Sequence, residues 1–170
     1  IARYEPQFII HLGDLVHPVP ELATFSEAVA LTHEVFRQHH NIMHVLPGNH
    51  DIGDKPNRMM PAKSIRASWI DIHEANFGPS WRSFDQGDVR FVLINNPILN
   101  SGLPHEQAQY AWLEETLASA GQRRIFVFMH YPLFLRSPDE PSTYDNIDEP
   151  ARSRIMGLMR KHNVEAVFAG

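Results

Sequence analysis

The sequence predicts an α/β fold, helices flanking a largely parallel sheet, on three observations. Four short apolar runs alternate with stretches of helical period, the arrangement of successive βα units. Two strand-like segments around Gln86-Gly87-Asp88 read as a tight hairpin, an antiparallel addition to that sheet. A chain of 170 residues, 43% hydrophobic and 21% charged, suits a single globular domain over residues 1–170.

The first run is Phe8-Ile9-Ile10-His11-Leu12, ended by Gly13-Asp14. From Glu21 to Gln38, Leu22, Phe25, Val29 and Phe36 fall near a 3.6 period, which predicts an amphipathic helix covering the sheet. The second run, Ile42 to Leu46, leads into Pro47-Gly48-Asn49-His50-Asp51. Residues 62–77 are read as a helix with Ile65, Trp69, Ile72 and Phe77 at compatible spacing. After the hairpin, residues 104–120 return to helix, with Pro104 in the first turn and Tyr110, Leu113 and Leu117 on one side. Ile125 to Met129 is continuously apolar and is expected to be covered on both faces. Ser137 to Pro150 carries five acids, three prolines and no base, the composition of a long exposed loop. A last helix begins near Pro150, buries Ile155, Leu158 and Met159, and can end at Asn163 in a left-handed cap. The fourth run is Val164 to Gly170.

Composition narrows the function classes. The formal net charge is −5 and no Lys/Arg run could track a phosphate backbone, so duplex nucleic acid is not expected as a partner. With no cysteine, there are no disulfides and no thiolate metal sites, an absence that fits a reducing compartment and favours the cytoplasm. His, Asp, Glu and Asn remain as ligands. No apolar run reaches the roughly 18 residues of a membrane span.

Three of the four runs end in a residue able to bind a metal ion: Asp14, Asn49 and His130. In open α/β sheets ligands collect beyond the carboxyl ends of strands, so these three could converge. Each also has a plainer reading. A Gly-Asp after a strand is commonly a turn, Asn49 could be turn chemistry, and His130 could be a hydrogen-bonded histidine at the core rim. Among eleven histidines, His33, His39, His40, His73, His105 and His162 are read as surface or packing residues, and His11 and His44 as satisfied strand residues. Gly48-Asn49-His50-Asp51 is harder to explain as a turn, because a turn needs only its first one or two residues.

In order, Gly13-Asp14, Gly48-Asn49-His50-Asp51 and His130 resemble the calcineurin-like metallophosphoesterases, whose pattern runs D-x-H, G-D, G-N-H-[DE], a lone His after a strand, then G-H-x-H. The text "GDLVH", "GNHDIG", "QAQYAWLEETL" and "HYPLFL" is most similar to the branch of calcineurin-like phosphoesterase domain-containing protein 1. The resemblance covers nearly all of the chain and implies a mixed β-sheet sandwich flanked by helices. The first and last blocks are not in these residues, and Gly170 matches the first residue of G-H-x-H. The segment is therefore expected to lack the family's first strand and C-terminal strands, and on its own to bind metal weakly and turn over little. The alternative is a degenerate family member.

The resemblance further implies two divalent or trivalent metal ions (Mn, Fe or Zn) with Asp14 bridging them and Asn49 and His130 on one of them. It implies hydrolysis of a phosphate monoester, in a phosphoprotein or a small phosphorylated metabolite, by a metal-bridging hydroxide. His50 would give a proton to the leaving oxygen, with Asp51 orienting its imidazole. A phosphodiesterase of cyclic nucleotides or nucleic acid ends, and a non-catalytic scaffold, are the competing readings. His17 is a candidate further ligand, and Asn95, Asn96, Tyr144 and Asn146 are candidates to line a substrate pocket.

Overall fold

The structure, a computed structural model, describes residues 5–56 and 64–170. Its strands fall into two sheets. Strand β1 (Ile9–His11) pairs in parallel with β2 (Met43–Val45). A separate four-stranded sheet has the order β3 (Arg82–Gln86), β4 (Val89–Leu93), β5 (Arg124–Met129) and β6 (Ala166–Ala169). Only the β3–β4 pair is antiparallel. Thus the four apolar runs form parallel pairs as expected, but they divide between two sheets rather than sharing one.

The hairpin follows its sequence signature. Gln86 pairs with Val89, leaving Gly87 and Asp88 as the two-residue turn, and Gly87 takes φ +61°, where a side chain would be strained. Helix α4 (Pro104–Ala118) starts with its proline in the first turn. Glu106, on its first turn, accepts the backbone N–H groups of Asn100 (2.7 Å) and Gly102 (2.8 Å), tying the preceding loop to the helix. Helix α5 (Ala151–Lys161) stops just before Asn163, which takes the left-handed φ of 53° that its sequence position suggested.

Strand β5 alternates rather than being covered on both faces. Ile125, Val127 and Met129 are buried in the main core with Leu113, Leu117, Ile155 and Met159 of α4 and α5. On the other face Phe126 and Phe128 are half-buried, in a row that continues through Phe91 and Phe84 on one side and Phe168 on the other. The two sheets meet on this aromatic face: Phe8 packs edge-on to Phe84 (5.1 Å) and Phe91 (4.8 Å), and His44 of β2 stacks on Phe84 at 4.0 Å.

Helix α1 (Phe25–Phe36) buries Val29, whereas Leu22 precedes the helix and is exposed. Helix α3 (Ala67–Phe77) is shorter than its predicted span of 62–77, and residues 62 and 63 lie outside the described residues. Ile65, Trp69 and Ile70 form a second core with Ile52 and Ile98. His73 of α3 is buried, neither ring nitrogen has a hydrogen-bond partner among the described residues, and burial pushes its pKa down to about 4. A folded-state pKa below the unfolded value of 6.5 contributes stability that is present above pH 6.5 and lost as pH falls through 4. The loss is on the order of 3 kcal/mol once both states have titrated. His73→Leu is therefore expected to flatten the fall of the thermal midpoint between pH 7 and 4.5 relative to the parent. Parallel curves for the two proteins would show that His73 is not held neutral.

Candidate active site

Backbone geometry at three strand ends builds the site. After β1, Gly13 and Asp14 both take positive φ (101° and 55°), which turns the Asp14 carboxylate back towards β2 instead of continuing the strand. After β2, Pro47-Gly48 leads directly into the one-turn helix α2 (Asn49–Ile52), so the motif residues stand on a helix rather than in an open turn. His130 follows β5, and its ring Nδ1 lies 2.9 Å from the carbonyl of Leu12. Asp14, Asn49 and His130, far apart in sequence, thus come together as expected. His130 Nε2 is 2.9 Å from Asn49 Oδ1 and 3.6 Å from Asp14 Oδ1, and the His50 backbone N–H donates to Asp14 Oδ1 at 3.0 Å.

The hydrogen-bond roles around these atoms are fixed by their partners. A carbonyl can only accept, so His130 Nδ1 carries the proton it donates to Leu12, and a neutral ring keeps a lone pair on Nε2. The Asn49 amide nitrogen faces Asp54 Oδ1 (2.8 Å), which can only accept, and the Tyr144 hydroxyl (3.1 Å). Its Oδ1 is therefore the atom turned to His130. Two lone-pair atoms facing at 2.9 Å, with a carboxylate oxygen close by, repel unless a positive charge, a proton on Nε2 or a cation, lies among them. The donor set of carboxylate, amide oxygen and imidazole fits a hard or borderline cation. Among the described residues no group of three His, Cys, Asp or Glu side chains is placed to hold a metal ion, so the amide of Asn49 is essential to such a set.

Asp51 does not act as expected. Its carboxylate accepts the backbone N–H groups of Gly48 (2.8 Å), Val16 (2.8 Å) and Leu15 (3.3 Å) and is buried, with both oxygens engaged away from the His50 ring. It is a clamp that caps α2 and fastens the loop after Asp14 to it. Burial raises its pKa to about 6 against the opposing pull of these backbone bonds. The His50 imidazole instead lies beside that of His17, ring centres 4.0 Å apart, with His17 exposed.

The pocket candidates separate. Asn95, Asn96 and Asn146 are fully buried, so they cannot line a substrate pocket. Asn96 accepts the N–H groups of His130 and Tyr131 (3.1 Å each) and donates to the Tyr131 carbonyl (2.6 Å), which holds the strand end carrying His130. Of the four, Tyr144 alone reaches the site. A cavity of about 430 Å³ lined by His33, Phe36, His44, Phe77 and Arg82, among others, includes none of the predicted site residues.

A family model described as calcineurin-like phosphoesterase matches residues 1–170. The chain belongs to the calcineurin-like phosphoesterase family. It is similar to proteins named serine/threonine-protein phosphatase CPPED1: 30% identical over 174 residues to that of Danio rerio, 31% over 175 to that of Homo sapiens and 33% over 174 to that of Bos taurus. Each match covers 98% of this chain and 53% of the relative, so the chain spans about half the length of these relatives. A solved purple acid phosphatase from yellow lupin (Lupinus luteus) seeds matches with a TM-score of 0.59 at 20% identity, over 96% of this chain and 30% of that one. That likeness shows the same α/β fold with mixed sheets.

Two residues of this calcineurin-like phosphoesterase escaped the sequence reading. Asp54 accepts from both Asn49 and Tyr144, and Lys55 is a buried cation whose ammonium reaches the carbonyls of Thr143 (2.6 Å) and Asn146 and the carboxylate of Asp148 (3.1 Å). The signal available was "GNHDIGDK": a second acid and a lysine a few residues after the motif. Residues 137–150 form the largely exposed loop expected, and Lys55 adds an anchor to it. The segment is anchored, with Asn146 and Ile147 buried and Glu140 accepting the N–H groups of Leu135 (2.7 Å) and Arg136 (2.9 Å).

Proposed function

We propose that this chain forms part of a two-metal phosphomonoesterase acting on phosphoproteins or small phosphorylated metabolites. The observation that supports it most is the meeting of His130 Nε2, Asn49 Oδ1 and Asp14 Oδ1, three atoms that can each give an electron pair to a cation. Asp14, Asn49 and His130 would hold a cation. Two such ions, when bound, supply Lewis-acid polarisation of the phosphoryl oxygens and an activated water. His50 gives its proton to the departing oxygen. Its backbone N–H holds Asp14 while its ring stays half-exposed beside His17, within reach of a substrate. Asp51 acts through the backbone, fixing where α2 presents Asn49 and His50. The names of the CPPED1 relatives favour phosphoserine or phosphothreonine as substrate.

The test uses the whole protein with manganese and two substrates, p-nitrophenyl phosphate and its bis ester. Faster release from the monoester is expected, and a preference for the diester would replace this reading with a phosphodiesterase. His50→Ala is expected to lower turnover by about a hundredfold while keeping its manganese. Asp14→Ala should lose manganese and turnover together. Full activity in His50→Ala would remove His50 as the proton donor.

A further inference from the structure

We infer that Asp54 and Tyr144 are positioning residues that select the orientation of the Asn49 amide, and through it the cation affinity of the site. The inference rests on the proposed cation site and adds what makes Asn49 usable in it. An amide side chain can present either its oxygen or its nitrogen to a neighbour, and the two choices are nearly isosteric. Facing His130, the nitrogen would be the more comfortable choice without a cation: it would donate to the Nε2 lone pair 2.9 Å away. The structure has the opposite orientation, and the cause lies on the far side of the amide.

Both Asn49 N–H bonds are spoken for there. One goes to Asp54 Oδ1 at 2.8 Å and the other to the Tyr144 hydroxyl at 3.1 Å, whose own proton goes to Asp54 Oδ1 at 3.0 Å. The triangle closes with every donor matched to an acceptor. A flipped amide would set its oxygen against the Asp54 carboxylate, two acceptors in a buried place, where leaving polar groups unpaired is costly. Asp54 is 2% exposed, so water cannot substitute for the lost partner. Asp54 is itself held by the chain: its carbonyl accepts from Ile65 N–H at 2.8 Å. Tyr144 arrives from residues 137–150, so that segment takes part in arranging a ligand more than 90 residues earlier in sequence.

Manganese titration calorimetry on the whole protein, without substrate, tests this apart from catalysis. Asp54→Leu, which removes the acceptor, is expected to weaken manganese binding by about 10–100-fold, the usual effect of losing a residue that orients a metal ligand. Asp54→Asn can turn either its oxygen or its nitrogen to Asn49, so it no longer selects one orientation and should weaken binding severalfold, less than Asp54→Leu. Tyr144→Phe removes only an oxygen from a part-exposed residue and should weaken binding severalfold without endangering the fold. The deciding comparison is made in an Asn49→Ala background, where there is no amide to orient. There Asp54→Leu should cause no further loss of affinity. An equal loss in both backgrounds would show general damage and overturn the inference, as would parental affinity in both Asp54→Leu and Tyr144→Phe. A parent protein that binds no manganese would overturn the cation site itself, and this inference with it.

Discussion

Gly48→Ala is expected to weaken cation binding by at least about a hundredfold, although residue 48 is no ligand. A Cβ at Gly48 would lie 2.3 Å from Asp14 Oδ1, 2.5 Å from the Asp14 backbone nitrogen and 2.9 Å from His130 Cε1. The carboxylate could swing aside, but only by leaving the position it shares with His130, and the backbone nitrogen cannot move without carrying the loop after β1. The requirement is for space, since Gly48 has φ −102° and ψ −176°, which any residue can adopt. The partner glycine has the same need: a Cβ on Gly13 would lie 2.6 Å from Gly48 N and 2.8 Å from His130 Nδ1. Overpacking of this kind should also cost about 1–3 kcal/mol of stability. Gly157→Ala is the control. It lies in helix α5 with nothing within 4 Å of a Cβ, and should leave manganese binding unchanged while gaining a few tenths of a kcal/mol or more. Calorimetric titration of both variants decides the matter. Parental affinity in Gly48→Ala would mean that Asp14 and His130 need not approach across the two glycines.

The elements that were legible in sequence are those whose pattern is local. The β3–β4 hairpin was marked by Gln86-Gly87-Asp88, helix α4 by Pro104 and the spacing of Tyr110, Leu113 and Leu117, and the end of α5 by Asn163. The convergence of Asp14, Asn49 and His130 was legible because each closes an apolar run. Their geometry was not, since it depends on left-handed turns at Gly13 and Asp14 and on two glycines packed against each other. Asp51 was misread because adjacency to His50 suggested contact with its ring. On a one-turn helix neighbouring side chains diverge, and a carboxylate at the third position reaches back to the N-terminal N–H groups instead. Residues 137–150 are the largely exposed loop that their composition implied, but its anchoring was not legible. Acid- and proline-rich composition says nothing of a single lysine far upstream, and it is Lys55 that makes the segment an ordered part of the site. The division of β1 and β2 from the larger sheet was carried only by the resemblance, which implied a sandwich of sheets, as apolar runs report burial but not which neighbour they pair with.

Lys55→Met should lower the stability of the domain by about 3 kcal/mol, which for a chain of this size is a fall of roughly 6–12 °C in thermal midpoint. Methionine keeps the apolar stem, so the change isolates the ammonium. In the parent, that group is 3% exposed, lies 5.5 Å over the Tyr131 ring and meets the Thr143 and Asn146 carbonyls and Asp148. Its removal leaves two carbonyls without their donor. The cost stays at the low end for a broken buried pair, because Asp148 keeps 30% of its side-chain surface in water and can be rehydrated. The carbonyls that Lys55 grips flank Tyr144 in sequence, so the same substitution should loosen the hydroxyl that braces Asn49 and weaken manganese binding as a secondary effect. Thermal unfolding of the parent and variant, each with and without manganese, separates the two consequences. The metal-free midpoints report the lost anchor, and a smaller manganese-induced rise in the variant reports the loosened brace. Equal midpoints without metal would show that the ammonium adds nothing to the fold. An undiminished rise with metal would show that the 137–150 segment positions Tyr144 without help from Lys55.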